Sequence, residues 1–167
     1  SDLRHLKAKV DAGADYVMTQ ICYDADRILA FIGRCREAGI DVPVIPGVKP
    51  LSTLRQLTLL PETFAIELPE ALHSEVRAHA DHPEAIRRIG VEWAVDQCRR
   101  LKAAGVPVIH FYTMGRAENV RQIIKEVFCP WPTSSTSSLS AVRCTAVPNS
   151  RSARPGRTTS SPARSPG

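Results

Sequence analysis

The chain has 167 residues, of which 43% are hydrophobic, enough for one domain with a buried core. No stretch approaches the roughly 18–20 consecutive apolar residues of a membrane-spanning helix, and the charged residues 1–13 are not typical of a signal peptide. The net charge of +5 comes entirely from residues 129–167, because residues 1–128 contain 17 basic and 17 acidic side chains. The five arginines of this tail are scattered among serine, threonine and proline, which argues against nucleic-acid binding.

A unit of helix, glycine turn and short apolar strand occurs three times along the chain. The three helical segments end at Gly13, Gly39 and Gly105, where a left-handed backbone conformation would favour glycine. After a short gap, each glycine is followed by a short apolar run. Helices that alternate with short, uniformly apolar strands are typical of a parallel sheet covered by helices, so the sequence predicts an α/β fold.

The first helix has a clear apolar face, and the second has a clear start signal. Leu3, Leu6 and Val10 follow the spacing i, i+3, i+7 and form one face of the first helix. Either Asp24 or Asp26 can cap the second helix, because an aspartate side chain accepts hydrogen bonds from the free N–H groups of a first turn.

Four further helices are predicted after the second strand. The segment LSTLRQLTLL predicts a short helix capped by Ser52, and PETFAIELPEALHSEV predicts a turn followed by another helix. Asp81 or Pro83 begins a long helix. The segment RAENVRQIIKEVF predicts a terminal helix whose inward residues are Val120, Ile123, Ile124 and Val127.

The five cysteines predict neither disulfides nor a metal site. Their number is odd and no pair has the CxxC spacing. The pattern is typical of reduced thiols in a cytoplasmic protein, with Cys35 and Cys98 as small core residues. His73, His79 and His82 lie near no cysteine in the sequence, so a zinc site is not expected.

The composition changes abruptly after Phe128. Residues 129–167 contain six prolines and many serines and threonines, without a sustained apolar period. Such a segment buries too little apolar surface to offset the entropy lost on ordering, so we predict a disordered tail. Its abrupt onset also resembles translation in another reading frame or an unrelated terminal exon.

Polar side chains follow the predicted strands at their carboxyl ends. Gln20 ends the first strand, Gln56 follows the second and Arg116 follows the third. In parallel α/β folds ligands bind at this edge, so the two amides and the guanidinium could converge on one site. Each also has a simpler interpretation: Gln20 as a loop hydrogen-bonder, Gln56 as a solvated residue, and Arg116 as the surface partner of Glu118.

Three segments carry a resemblance to a known family. LKAKVDAGADYVMTQICYD, AGIDVPVIPGVKPLS and GVPVIHFYTMGRAE resemble, in order, the carboxyl-terminal half of the catalytic barrel of methylenetetrahydrofolate reductase. The resemblance covers residues 2–128. Gly115 replaces the asparagine that the family usually carries before the arginine.

The resemblance implies a partial (β/α)8 TIM barrel, with about the last three βα units present. Enzymes of this family transfer hydride from NADH or NADPH to FAD and then to 5,10-methylenetetrahydrofolate, and the product feeds methionine synthesis. The resemblance assigns Gln20, Gln56 and Arg116 to the folate substrate. It assigns Asp2, His5 and Lys9 to FAD, with His5 in place of a frequent asparagine.

The resemblance also places the general-acid glutamate of the family outside this chain. It implies a cytoplasmic protein whose full-length relatives form homo-oligomers. One hypothesis is therefore a reductase fragment, with a barrel part at 1–128 and a tail at 129–167. The alternative is a non-catalytic folate-binding or subunit-interaction module, and a third hypothesis is an RNA-associated protein acting through its arginine tail.

Overall fold

The computed structural model describes residues 2–114 and 117–129, which form an α/β architecture with one parallel sheet. Gly115, Arg116 and the predicted tail from residue 130 onward lie outside the described residues. In chain order the elements are α1 (Asp2–Asp11), β1 (Val17–Ile21), α2 (Ala25–Glu37), β2 (Val44–Val48), α3 (Gln56–Phe64), α4 (Glu70–Ala78), α5 (Pro83–Ala103), β3 (His110–Phe111) and α6 (Glu118–Val127).

The strands lie side by side in the order β1, β2, β3, and both neighbouring pairs run parallel. Gly47 of β2 is paired with Ile21 of β1 on one side and with His110 of β3 on the other. The three predicted parallel strands are therefore confirmed within the described residues. The third is shorter than its apolar run suggested, since β3 contains only two residues.

Glycine ends the three helices that precede strands, as the sequence predicted. Gly13, Gly39 and Gly105 have φ values of +109°, +72° and +79°. A residue with a Cβ atom rarely adopts this region, whereas glycine enters it without a steric cost. Each turn reverses the chain from an outer helix into the sheet.

The starts of α2 and α5 follow one of the two options that the sequence left open. Asp24, and not Asp26, caps α2, because its Oδ1 accepts hydrogen bonds from the backbone N–H of Asp26 at 2.9 Å and of Arg27 at 3.3 Å. Pro83 is the first residue of α5. The fixed φ of proline suits this position, where its missing N–H would have no helical partner.

The predicted N-cap of α3 is wrong. The helix begins at Gln56, behind Arg55, and has no side-chain cap. Ser52 instead uses its backbone N–H to donate a hydrogen bond to Oε1 of Gln56, at 2.8 Å. The residues between them turn before the helix starts, which places Ser52 too early to act as the cap.

The turn and helix predicted within residues 61–76 are present, with the turn after Phe64 and the helix α4 from Glu70. Pro61 is inside α3, and the helix ends at Ala65, which has a φ of +50°. Proline removes one helical hydrogen bond. The buried Leu57 and Leu60 nevertheless hold this segment against the core, and tertiary packing of this kind usually contributes more to a helix than local propensity does.

The core consists of apolar clusters that lie between the sheet and its helices. Cys35 and Cys98 are both fully buried, which confirms their predicted place in the core. The apolar face of α1, formed by Leu3, Leu6 and Val10, packs against the cluster that contains Cys35. This contact fixes the position of α1 beside β1 and α2.

The inward face of α6 is narrower than predicted. Val120, Ile123 and Val127 are buried, at positions i, i+3 and i+7. Ile124 is 40% exposed, so its predicted inward position is wrong. A step of 100° per residue places Ile124 at the margin of the face that the other three form.

Helix α5 approaches the backbone of Leu51 closely at Gly90. An ideal Cβ atom on Gly90 would lie 1.8 Å from the carbonyl oxygen of Leu51 and 2.6 Å from its carbonyl carbon. Both residues are buried, and the contact is to backbone rather than to a flexible side chain. Only glycine lets α5 lie this close to the segment that follows β2.

We therefore expect Gly90→Ala to destabilise the protein by at least about 1–3 kcal/mol, the usual cost of overpacking a core. The added methyl group would force α5 away from Leu51 and open the packing around it. Urea unfolding followed by circular dichroism measures the change in the free energy of unfolding.

Gly33→Ala is the matched control. Gly33 lies in the middle of α2, and a Cβ atom there would meet nothing within 4 Å. Because alanine favours a helix over glycine by roughly 0.5–1 kcal/mol, this variant is expected to be more stable than the wild type. Equal stability of the two variants would contradict the close approach at Gly90.

Candidate functional site

The carboxyl ends of the strands are joined by hydrogen bonds through Thr19. Its Oγ1 accepts a hydrogen bond from the backbone N–H of Gly47 at 3.0 Å, and its carbonyl oxygen accepts one from the Tyr112 hydroxyl at 3.3 Å. The ring of His110 meets the Tyr112 ring edge-on, with centroids 4.5 Å apart. Residues from all three strand ends are thus held together at the edge where parallel sheets bind ligands.

Gln20 is the exposed residue next to Thr19 in this arrangement. Its Oε1 accepts a hydrogen bond from the backbone N–H of Ile21 at 2.9 Å, which fixes the orientation of the amide. Gln20 and Thr19 line a cavity of about 650 Å³ that extends from β1 to α2 and to residues 65–69. A cavity of this size is within the usual range for small-molecule sites.

Gln56 is also oriented by its neighbours. Its Oε1 accepts hydrogen bonds from the backbone N–H of Ser52 at 2.8 Å and from the Ser52 hydroxyl at 3.3 Å. With its oxygen occupied, the amide of Gln56 has its N–H groups left to offer a ligand. Gln56 lines a smaller cavity of about 170 Å³ that Tyr112 also lines.

The structure thus places the two glutamines on the same edge of the sheet but beside different cavities. Tyr112 connects them, because it lines the smaller cavity and donates its hydroxyl hydrogen to the residue before Gln20. Arg116, the third predicted substrate residue, lies outside the described residues.

The predicted flavin residues lie on α1. Asp2, His5 and Lys9 are all exposed, on a different face of α1 from the apolar residues that pack on the core. None of the three lines either cavity, although Leu6 of the same helix lines the larger one. Within residues 2–114 and 117–129, no group of His, Cys, Asp and Glu side chains is arranged to hold a metal ion.

Sequence reasoning missed Lys49, which lies directly after β2. Lys49 is only 5% exposed, and burial lowers the pKa of its ammonium group. It lines the smaller cavity together with Gln56 and Tyr112. The signal was present in the sequence, since a lysine stands between Val48 and Pro50 in an otherwise uncharged segment.

Helix α5 holds the chain that leaves β1. Nε1 of Trp93 donates a hydrogen bond to the carbonyl oxygen of Tyr23 at 2.8 Å, and the buried amide of Gln97 donates from Nε2 to the carbonyl oxygen of Cys22 at 2.6 Å. These bonds satisfy two backbone carbonyls that the end of the strand leaves free. They fix the loop that carries Asp24 into α2.

Comparison with known proteins is consistent with this architecture. A profile of the family described as methylenetetrahydrofolate reductase matches residues 1–127. The chain belongs to the methylenetetrahydrofolate reductase family.

Relatives from distant organisms align with the same part of the chain. Methylenetetrahydrofolate reductase 1 of Schizosaccharomyces pombe is 35% identical over 125 residues, which are 75% of this chain and 21% of that protein. The 5,10-methylenetetrahydrofolate reductase of Escherichia coli is 37% identical over 118 residues, 71% of this chain and 40% of that protein. Methylenetetrahydrofolate reductase (NADH) 1 of Arabidopsis thaliana is 36% identical over 114 residues, 68% of this chain and 19% of that protein.

The matched region therefore corresponds to about a fifth of the length of the S. pombe and A. thaliana family members and two fifths of the E. coli member. It includes α1 and all three strands, and thus the described residues at the carboxyl edge of the sheet. None of the helices in the described part of the chain is long and apolar enough to cross a membrane.

The burial of Lys49 leads to a prediction about stability. We expect Lys49→Met to raise the free energy of unfolding at pH 7 by up to about 1 kcal/mol, because the ammonium group is half-buried and loses only part of its hydration. Urea unfolding measures the change. Lys125→Met, at an exposed position of α6, is the control and should change stability by less than about 0.5 kcal/mol.

The gain from Lys49→Met should also depend on pH. Burial lowers the pKa of Lys49 in the folded protein below its ordinary value of 10.5, so the folded state loses the proton first as pH rises. The wild type then recovers stability while its unfolded state still binds the proton. The difference between the two proteins should therefore narrow from pH 7 towards pH 10, and a constant difference would contradict a penalty caused by the charge.

Proposed function

We propose that this chain supplies the carboxyl-terminal part of a catalytic barrel that reduces 5,10-methylenetetrahydrofolate to 5-methyltetrahydrofolate with NADH or NADPH. The observation that carries the proposal is the position of Gln20, beside a cavity at the carboxyl edge of the sheet, in a chain of this family. Residues 1–128 would form about the last three βα units of a (β/α)8 barrel.

The substrate would be held mainly by side-chain amides. The edge of a pterin ring presents hydrogen-bond donors and acceptors side by side, and a glutamine amide can match such an edge. Gln20 is fixed by its bond to the N–H of Ile21 and remains exposed at the cavity. Gln56 and Arg116 are the two further residues proposed to contact the folate.

FAD is the proposed cofactor, and α1 offers part of its site. Lys9 supplies a positive charge suited to the diphosphate, while Asp2 and His5 present polar atoms on the same exposed face. Of the three, Lys9 fits the charged part of the dinucleotide. When bound, the flavin carries hydride from the nicotinamide to the folate, and the protein provides orientation and electrostatics.

The proposed role of the strand ends is to position the side chain of Gln20. The bond from the Tyr112 hydroxyl to Thr19 and the bond from the N–H of Gly47 to Thr19 Oγ1 hold Gln20 in a fixed relation to β2 and β3. The contact between the Gln20 amide and the substrate needs this rigidity, because a small misplacement of the substrate slows its reaction severely. The proposed general acid is a glutamate outside this chain.

The alternative is a non-catalytic fragment that binds folate or another subunit. The observation that favours it is the edge of β1, which pairs only with β2 among the described residues. Tyr16 and Met18 beside this edge are 54% and 44% exposed. An exposed strand edge with apolar neighbours is suited to pairing with further protein.

We include in the proposal the setting that the resemblance implies. The enzyme would act in the cytoplasm, in the synthesis of methionine from one-carbon units. The full-length protein would form homo-oligomers, as expected for the family.

Folate binding by the 167-residue chain tests the proposal. The purified 167-residue chain is titrated with folic acid, and quenching of tryptophan fluorescence reports binding. We expect Gln20→Ala to weaken binding roughly three- to tenfold, the effect of one lost hydrogen bond. Gln122→Ala, on the exposed side of α6, should leave the affinity unchanged. No binding by the wild type, or equal binding by Gln20→Ala, would contradict the proposal.

The flavin content distinguishes a barrel part from a complete flavoprotein. We expect the chain to purify with little or no FAD, because α1 presents only the charged part of a flavin site. The visible absorbance of the purified protein measures this. One FAD per chain, at the absorbance of a native flavoprotein, would show that the prediction is wrong.

A further inference from the structure

The cavity beside Lys49 contains an unusual set of side chains. It has a volume of about 170 Å³ and lies between the end of β2, the start of α3 and the residues after β3. Its polar lining includes Lys49, Thr53, Gln56, Tyr112, Thr113 and Asn119. None of the residues that line it carries an acidic group, and Lys49 is the one among them with a formal charge.

The polar groups of this cavity are biased towards hydrogen-bond donors. Gln56 has its oxygen occupied by two bonds from Ser52, which leaves its N–H groups to donate. The ammonium group of Lys49 has three donors and no acceptor. Thr53, Thr113 and Asn119 add hydroxyl and amide groups that can also donate. A group that accepts several hydrogen bonds and carries negative charge matches this lining best.

Lys49 is a mostly buried residue whose ammonium group is partly desolvated. A lysine is almost never fully buried unless an acidic group pairs with it. Among the described residues no salt bridge or hydrogen bond satisfies its ammonium group, and burial is the one influence on its pKa. A partly desolvated charged group that lines a cavity is typical of a binding site, where the ligand supplies the missing partner.

The size of the cavity limits what can occupy it. A volume of about 170 Å³ is well below the roughly 300–1,000 Å³ of sites that enclose a whole drug-sized ligand. With the pterin ring proposed to lie at Gln20, beside the larger cavity, this cavity is left for another part of the ligand. A carboxylate or phosphate group would fit, as the charged end of a ligand whose body is bound next to it.

We propose that this cavity is an anion subsite that binds a carboxylate of the glutamate moiety of the folate substrate. Lys49 determines the preference for ligands that carry this glutamate. The inference rests on the proposed function, because it takes Gln56, which shares the cavity, as a folate contact. Folate is a pterin joined through aminobenzoate to glutamate. The carboxylates of this glutamate are therefore the anionic groups that bound folate could place in the cavity.

The test compares two ligands that differ only in the glutamate. Folic acid carries it, and pteroic acid lacks it. Each is titrated into the 167-residue chain, with tryptophan fluorescence as the readout. We expect the wild type to bind folic acid roughly tenfold or more tightly than pteroic acid, the scale of one charge-assisted hydrogen bond. Lys49→Met should lose this preference and keep its affinity for pteroic acid.

Lys125→Met is the matched control and should keep the preference for folic acid, because Lys125 is exposed on α6. Lys49→Met is expected to be more stable than the wild type, so its lost preference would not reflect misfolding. If the wild type binds the two ligands equally, the subsite is overturned while folate binding stands. If neither ligand binds, the proposed function fails, and with it the assignment of the anion to folate.

A direct probe separates the carboxylate from a phosphate source. In the chain labelled with ¹³C-lysine, the Cε signal of Lys49 is identified by its loss in Lys49→Met. Glutarate is expected to shift this signal selectively, and inorganic phosphate to shift it less. A response to phosphate alone would overturn the proposal in favour of a nucleotide phosphate, and no response to either anion would overturn the subsite itself.

Discussion

The carboxyl edge of the sheet depends on one missing side chain, that of Gly47. A Cβ atom there would lie 2.7 Å from Cε2 of Tyr112 and 2.8 Å from the carbonyl oxygen of Thr19. Because glycine leaves this space open, Tyr112 can cross the middle strand and donate its hydroxyl hydrogen to Thr19 on the far strand. The same glycine donates its N–H to Thr19 Oγ1. Three strand ends therefore form one rigid unit, and the position of Gln20 depends on it.

A second close contact, between α5 and the segment after β2, fixes the loops that follow β1 and β2. Gly90 lets α5 lie directly against the backbone of Leu51, in the segment that leaves β2. Farther along α5, Trp93 and Gln97 bind the carbonyl groups of the loop after β1. One helix thus positions the chain after two neighbouring strands. The loops at the candidate site are held by the scaffold rather than by their own sequence, as is common where ligands bind.

Stability and function have opposite demands at Lys49. An apolar side chain would suit these surroundings better, since the ammonium group loses part of its hydration and no described residue pairs with it. Proteins keep such unfavourable groups mainly at sites where a ligand supplies the partner. Among the described residues, β1 pairs only with β2, and Lys49 lies mostly buried at the end of β2.

The sequence by itself determined the order of helices and strands, because apolar periodicity and the glycine stops are local properties of the chain. It also identified the family, since the segments around Gln20, Lys49 and His110 are matched in order. It did not determine the start of α3 or the exposure of Ile124, which depend on packing against distant elements. Only the tertiary structure placed Gln20 and Gln56 beside different cavities and showed Lys49 buried without an acidic partner among the described residues. Burial and pairing are set by residues far apart in the chain, which no local pattern records.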